Sequence, residues 1–277
     1  MGYDLTEYAQ TPLGRLAFHQ TGSGEPLILH HGGEGHKGQY AIFAPHLAAG
    51  IRAISYDQRD IAESLTAAQP YDLKALADDC AALMDALGLD KAHIAGISMG
   101  GVIALHMAVH HPGRVKTLIV GAAPAAARWS ATFLQQMLSK SAEERTDLMV
   151  EALLSPRGLT DSEMAATLRA TLSVTHSAPG SHRMAALRAH DLEAELSMID
   201  IPTLVINGSD DPIVTPESAR LVADRIPGAE LVVLDGARHG LSFEFREQTG
   251  KLISDFVLKH PVAVLLPLPA GPNSCRQ

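Results

Sequence analysis

Cysteine is almost missing from this chain: Cys80 and Cys275 are the two in 277 residues, too few and too far apart for a disulfide framework. A reducing compartment is the expectation. Long runs of lysine or arginine are also missing, and the formal charge is −9 at pH 7 with histidine neutral. Nucleic acid or an anionic membrane surface would need a basic face, so neither is expected as a partner. No stretch reaches the ~18 apolar residues that a membrane helix requires. The opening MGYDLTEYAQ has neither a basic segment nor an apolar core, so no signal peptide is expected and the cytoplasm is the expected location. Fourteen histidines occur without an H-E-x-x-H or comparable cluster, so no metal and no cofactor is expected. Internal repeats are absent. What remains is 46% hydrophobic and 19% charged, the balance of a soluble globular α/β protein with a sizeable core.

Along the chain, short apolar runs alternate with helical stripes. Residues 4–20 read as a hairpin around Thr11-Pro12-Leu13-Gly14, followed by strands at Pro26–His31 and Ile51–Asp57. Asp72 can cap a helix with the stripe Leu73, Leu76, Cys80, Leu83, Leu87, which stops at Gly88. Strands follow at His93–Ala95 and Val115–Val120. This alternation predicts a mostly parallel sheet with helices on both faces. It breaks over residues 125–196, where only helical stripes appear, such as Trp129–Phe133–Met137 and Met164–Leu168–Leu172. Strand character returns at Pro202–Asn207 and Glu230–Leu234, and a last helix carries Phe245, Thr249, Leu252 and Phe256. The expected organisation is a core domain of residues 1–124 and 197–260, a helical insert over 125–196, and a flexible tail over 261–277. Inserted there, the helices would lie over the carboxyl ends of the strands, where open α/β sheets place their sites.

The chemistry gathers around Gly96-Ile97-Ser98-Met99-Gly100, which joins an apolar run to an apolar helix. A serine on a tight strand-to-helix turn stands its hydroxyl free of the sheet, and the two glycines admit close neighbouring backbone. The helix behind it points N–H groups toward the serine, which suits a site that stabilises an oxyanion. A serine nucleophile needs a base, and the base needs an orienting carboxylate. Gly208-Ser209-Asp210-Asp211-Pro212 follows one late strand and offers two acids. Gly236-Ala237-Arg238-His239-Gly240 follows the next and offers His239. The order serine, aspartate, histidine is that of the G-x-S-x-G hydrolases.

On these residues the chain resembles the α/β-hydrolase fold superfamily, in its serine esterase and lactonase branch with a helical cap, over roughly residues 5–260. The resemblance implies Asp211, at the fourth position of G-x-x-D, as the acid, with Asp210 the runner-up. After the strand that follows the elbow helix, where some members carry the acid, stands Gly121-Ala122-Ala123-Pro124, which has no carboxylate. The resemblance also implies an oxyanion site formed by the backbone N–H of Met99 and of Gly33, the latter following His31-Gly32. Each such donor is typically worth ~3 kcal/mol in the transition state. Tyr56-Asp57-Gln58-Arg59-Asp60-Ile61-Ala62-Glu63-Ser64 resembles the family's D-x-R-G-x-G-x-S segment, with Asp60 and Ala62 in place of both glycines. Arg59 and Ser64 are expected to be structural. The implied substrate is a small ester or lactone, cleaved through an acyl-enzyme. Carbon–carbon bond hydrolase, proline-type aminopeptidase and cofactor-free haloperoxidase share the same triad. Serine at position 98 disfavours dehalogenase and epoxide-hydrolase chemistry.

Two other classes compete. One is a ligand-sensing, receptor-like protein on the same fold. The other is an NAD(P)-binding oxidoreductase, because Gly33-Glu34-Gly35-His36-Lys37-Gly38 fits G-x-G-x-x-G after a strand, with Asp57 ending the next one. Against the latter, Pro45 would fall early in the helix that such a site needs. Candidate substrate-lining residues are Glu34 and His36 beside the glycine loop, and Trp129, Met137, His176 and His182 in the insert.

Overall fold

The computed structural model describes residues 5–33, 35–66, 69–173 and 182–262. The opening hairpin forms as expected, from β1 (Glu7–Thr11) and β2 (Gly14–Gly22). Then come β3 (Glu25–His30), β4 (Ile51–Tyr56), the two-residue β5 (Leu65–Thr66) and α1 (Leu73–Ala86). The Asp72 carboxylate caps α1 by accepting from Ala75 N at 2.8 Å. The chain continues through β6 (Ala92–Ile97), α2 (Met99–His110) and β7 (Val115–Gly121). Among the described residues, four helices interrupt the alternation: α3 (Ala131–Ser139), α4 (Ala142–Leu153), α5 (Ser162–Ser173) and α6 (His182–Arg188). The last elements are β8 (Thr203–Gly208), α7 (Pro216–Arg225), β9 (Glu230–Leu234) and α8 (Arg246–Lys259). No helix among the described residues is long and apolar enough to cross a membrane.

The strands form one sheet in the order β1-β2-β4-β3-β6-β7-β8-β9, with β5 paired to β2. Pairings from β4 to β9 are parallel, and those of β2 are antiparallel. Both faces are covered, so alternate residues of one strand enter different cores. Ile28, Ile54, Ile94 and Leu118 pack with α1, α2 and α7. Leu27, Leu29, Ala95 and Ile119 pack with α8. That two-sided burial explains why the central strands are apolar runs without visible alternation. α2 is buried on every side from Met99 to Ala108, as a helix that is apolar apart from His106 over that span must be.

Two local expectations shift, and one unexpected helix is present. Trp129 lies ahead of α3, because Ser130 caps that helix by accepting from Phe133 N, so the first member of the expected stripe inside it is Phe133. In α8 the expected Thr249 and Phe256 are buried together with Ile253 and Val257, while Leu252 is only partly buried. α7 was hidden in the sequence, since its buried face is only Ala219, Val222 and Ala223. Most of the expected tail, residues 263–277, lies outside the described residues.

Candidate active site

Backbone sterics fix the turn between β6 and α2. An added Cβ on Gly96 would sit 2.1 Å from Gly100 O, and one on Gly100 would sit 2.0 Å from His30 O. Only hydrogen fits at either place. Between them, Ser98 adopts φ 59° and ψ −126°, a left-handed conformation that costs a non-glycine residue about 1–3 kcal/mol. The surrounding bonds hold it there: Ser98 N donates to Gly121 O at 2.8 Å, and Ser98 O accepts from Val102 N at 3.1 Å. The hydroxyl therefore heads an N-terminal helix turn at the carboxyl end of the sheet, where Met99 opens α2.

The two late loops lie side by side at the same sheet end. A Cβ on Gly208 would fall 2.2 Å from Ala237 O, so the acid loop and the histidine loop touch through backbone. Asp210 N donates to Ala237 O at 3.0 Å, and Gly236 N donates to Ser209 Oγ at 2.8 Å. Asp211 Oδ1 accepts from Ile213 N at 2.8 Å and Val214 N at 2.9 Å, which aims the carboxylate. Its other oxygen, Oδ2, accepts from His239 Nδ1 at 2.8 Å, with both residues buried. That bond puts the Nδ1 proton toward the acid and leaves Nε2 as the basic nitrogen. Asp210 is exposed, and its carboxylate accepts from Ser209 Oγ. The histidine loop is tied on its far side to the end of α4, where His239 N and Gly240 N donate to Ala152 O and Leu153 O.

Ser98 and His239 line one cavity together with Gly32 and Gly33. Its other walls include Gln39, Ser242, Phe243, and Met149, Leu153 and Leu172 from α4 and α5. These apolar walls were not singled out in the sequence. α4 and α5 read only as helical stripes, and nothing in a stripe says which helix covers the serine. The glycine loop lies against the elbow, since a Cβ on Gly32 would be 3.8 Å from Ser98 Cβ and one on Gly33 would be 3.9 Å from Met99 Cβ.

The expected lining residues stand elsewhere or outside the described residues. Trp129 and Met137 pack against a cluster of Phe133, Ala152, Ile213 and Val214. His36 Nδ1 accepts from Gly38 N at 3.1 Å, and His182 meets the edge of the Tyr71 ring at 6.2 Å. Glu34 and His176 lie outside the described residues.

The glycine loop is not built like a dinucleotide site. Short 3-10 turns, Lys37–Tyr40 and Ala44–His46, follow it where that fold needs a helix. The Asp57 carboxylate is buried against the Lys37 ammonium at 3.0 Å and also accepts from Lys37 N and Glu63 N. Asp60 and Ala62 hold φ of 63° and 44°, so the backbone keeps the left-handed turns that the missing glycines would favour. Arg59 forms a two-pronged pair with Asp79, at 2.6 and 2.7 Å, which anchors this loop to α1. Ser64 bridges it to β2, donating to Asp57 O and accepting from Ala17 N.

A family model described as alpha/beta hydrolase fold matches residues 25–245. The chain is 32% identical over 248 residues to the dihydrolipoyllysine-residue acetyltransferase component of acetoin cleaving system from Pseudomonas putida, covering 86% of this chain. It spans 64% of that relative's length. It is also 32% identical over 235 residues to rhodomycin D methylesterase DauP from Streptomyces sp. (strain C5), covering 72% of this chain and 79% of the relative. Among solved structures, one described as Est816, an N-acyl homoserine lactone degrading enzyme, superposes with a TM-score of 0.78 at 26% identity. That match covers 91% of this chain and 100% of the other.

Proposed function

Since the chain belongs to the alpha/beta hydrolase fold family, we propose that it cleaves carboxylic esters or lactones of small organic substrates through an acyl-enzyme on Ser98. The observation that carries this reading is the Asp211–His239 bond of 2.8 Å beside a serine held on a left-handed turn in the same cavity. His239 Nε2 takes the hydroxyl proton as Ser98 Oγ attacks the carbonyl carbon. Asp211 keeps the imidazole in the required tautomer and stabilises the imidazolium that forms. The oxyanion is received by the N–H groups of Met99 and Gly33. As the carbonyl re-forms, the C–O bond to the leaving group breaks and His239 returns the proton to the departing alkoxide. Water then attacks the acyl-enzyme with His239 again as base, and the product carboxylic acid leaves Ser98 free. The ester and lactone names of two relatives support this substrate class. So do the apolar walls given by Met149, Leu153, Leu172 and Phe243, which suit an uncharged acyl or alcohol group.

A p-nitrophenyl ester series of rising acyl length, run on wild type and Ser98→Ala, tests it together with a serine-directed phosphonate read by mass spectrometry. The expected result is turnover with a clear optimum of acyl length, roughly 10⁶-fold loss of kcat in Ser98→Ala, and the phosphonate on Ser98. Turnover that survives in Ser98→Ala, with no adduct at that position, would sink the proposal.

A further inference from the structure

Arg183 is the bulkiest of the buried charged side chains, only 2% exposed. It comes from α6, yet it serves the glycine loop 150 residues earlier in the chain. Its Nε donates to Gly33 O and its Nη2 to Gly32 O, both at 3.2 Å. Nη2 also donates to Gln58 Oε1 at 2.6 Å. Gln58 in turn donates from Nε2 to His31 O at 2.9 Å and from its backbone N to His31 Nε2 at 3.2 Å. His31 closes the ring, with Nδ1 donating to Gly32 O at 2.8 Å. Burial and the nearby Arg183 charge push the His31 pKa well below its usual value, so the ring is neutral. Its partners then fix the tautomer: the carbonyl can only accept from Nδ1, and the Gln58 N–H can only donate to Nε2.

We propose that Arg183 is a positioning residue that aims the Gly33 N–H toward the oxyanion formed on Ser98. The inference rests on the serine-hydrolase reading given above. Gly32 O and Gly33 N–H belong to a single peptide unit, and in a trans unit these groups point in opposite directions. No cis peptide occurs among the described residues. A guanidinium that grips the carbonyl therefore turns the N–H to the far side. Two adjacent glycines supply little stiffness of their own, so the orientation of this unit has to be imposed from outside. The same contact polarises the unit and makes its N–H a stronger donor. A lysine would not substitute, because one ammonium on a flexible stem cannot reproduce a planar fork spread over three acceptors.

The experiment measures kcat, KM and inhibition by a trifluoromethyl ketone for wild type, Arg183→Met, Arg183→Lys and Ser98→Ala, using the best p-nitrophenyl ester. Such a ketone adds to the serine and leaves its oxyanion on the same donors. Expected are a fall in kcat on the order of 10²-fold for Arg183→Met and about 10-fold for Arg183→Lys. KM should stay within about threefold, and the ketone inhibition constant should rise by about the same factor as kcat falls. Unchanged kcat in a folded Arg183→Met, or a loss carried by KM alone, overturns the proposal. The second outcome would make Arg183 a substrate-binding group. Should Arg183→Met fail to fold by circular dichroism, Arg183→Lys decides, and wild-type kcat in that variant overturns the proposal equally. Turnover surviving in Ser98→Ala removes the serine reading and this inference together. A dead Ser98→Ala beside an unaffected Arg183→Met removes the inference alone.

Discussion

The loops at the carboxyl ends of the central strands and the helices inserted between β7 and β8 are built on opposite terms. Every residue of β6 is buried, and the turn after it admits no methyl group on Gly96 or Gly100. In α3, by contrast, Phe133 is the one buried residue, and Leu134 and Leu138 are 42% and 81% exposed. The first region is specified by what would collide, the second by a few anchoring side chains. Reacting groups need fixed geometry, while a covering segment need only keep its anchors.

The largest expected effect comes from putting a methyl group where the first region forbids it. Gly100→Ala should lose about 3 kcal/mol or more, because the obstruction at 2.0 Å is main chain. Urea denaturation monitors this, and a wild-type midpoint would mean that the elbow is softer than the contact implies. An intermediate effect belongs to the seam between the regions. His106 on α2 meets His190, at the end of the insert, through Nε2 and Nδ1 at 3.2 Å, and it stacks on His110 at 5.5 Å. His190 also reaches Pro124 O at 3.2 Å. Burial first, and then the charges of His190 and His110, lower the His106 pKa to about 3. The unfolded chain takes up this proton near pH 6.5 and the folded chain only near 3, so the contribution is complete above 6.5 and is lost as pH falls between those values. The slope is up to ~1.4 kcal/mol per pH unit. Unfolding free energies at pH 7, 6 and 5 should show it, and His106→Gln should lower the slope by up to that amount, leaving the share of other buried histidines such as His31. Equal slopes in both proteins would place a charged imidazole in the native seam. The smallest effect is expected from Leu138→Ser, within about 0.5 kcal/mol, since that side chain is exposed. A loss above about 1 kcal/mol would reveal a covering partner on α3 and erase the contrast.

That contrast also sorts what could be read from the residues alone. The elbow was legible because G-x-S-x-G encodes a steric requirement within five residues. The choice between Asp210 and Asp211 was only half legible, since both follow β8, and it is the turn at Ile213 and Val214 that draws Asp211 inward. The replacement of both glycines by Asp60 and Ala62 showed in the sequence but its outcome did not: both adopt a conformation that side chains disfavour, held by the Arg59–Asp79 pair and the Asp57 bonds. The walls from α4 and α5 could not be read, because helical period says which face is apolar and not what it covers. Arg183 was invisible for a further reason. An arginine in a helical stretch reads as a solvated side chain, and its bonds to Gly32 and Gly33 go to main-chain carbonyls, which leave no trace in sequence.

The bonds from His239 and Gly240 to the carbonyls of Ala152 and Leu153 have a consequence for transplantation. An insert borrowed from another member of the family, in the hope of importing its selectivity, would have to bring its own main-chain carbonyls to the same two places to hold the histidine loop. A chimera spliced before residue 152 that displaces them would lose rate on every substrate, good and bad alike. One spliced after Leu154, with α6 and Arg183 retained, would keep the loop moored and leave selectivity as the property that changes.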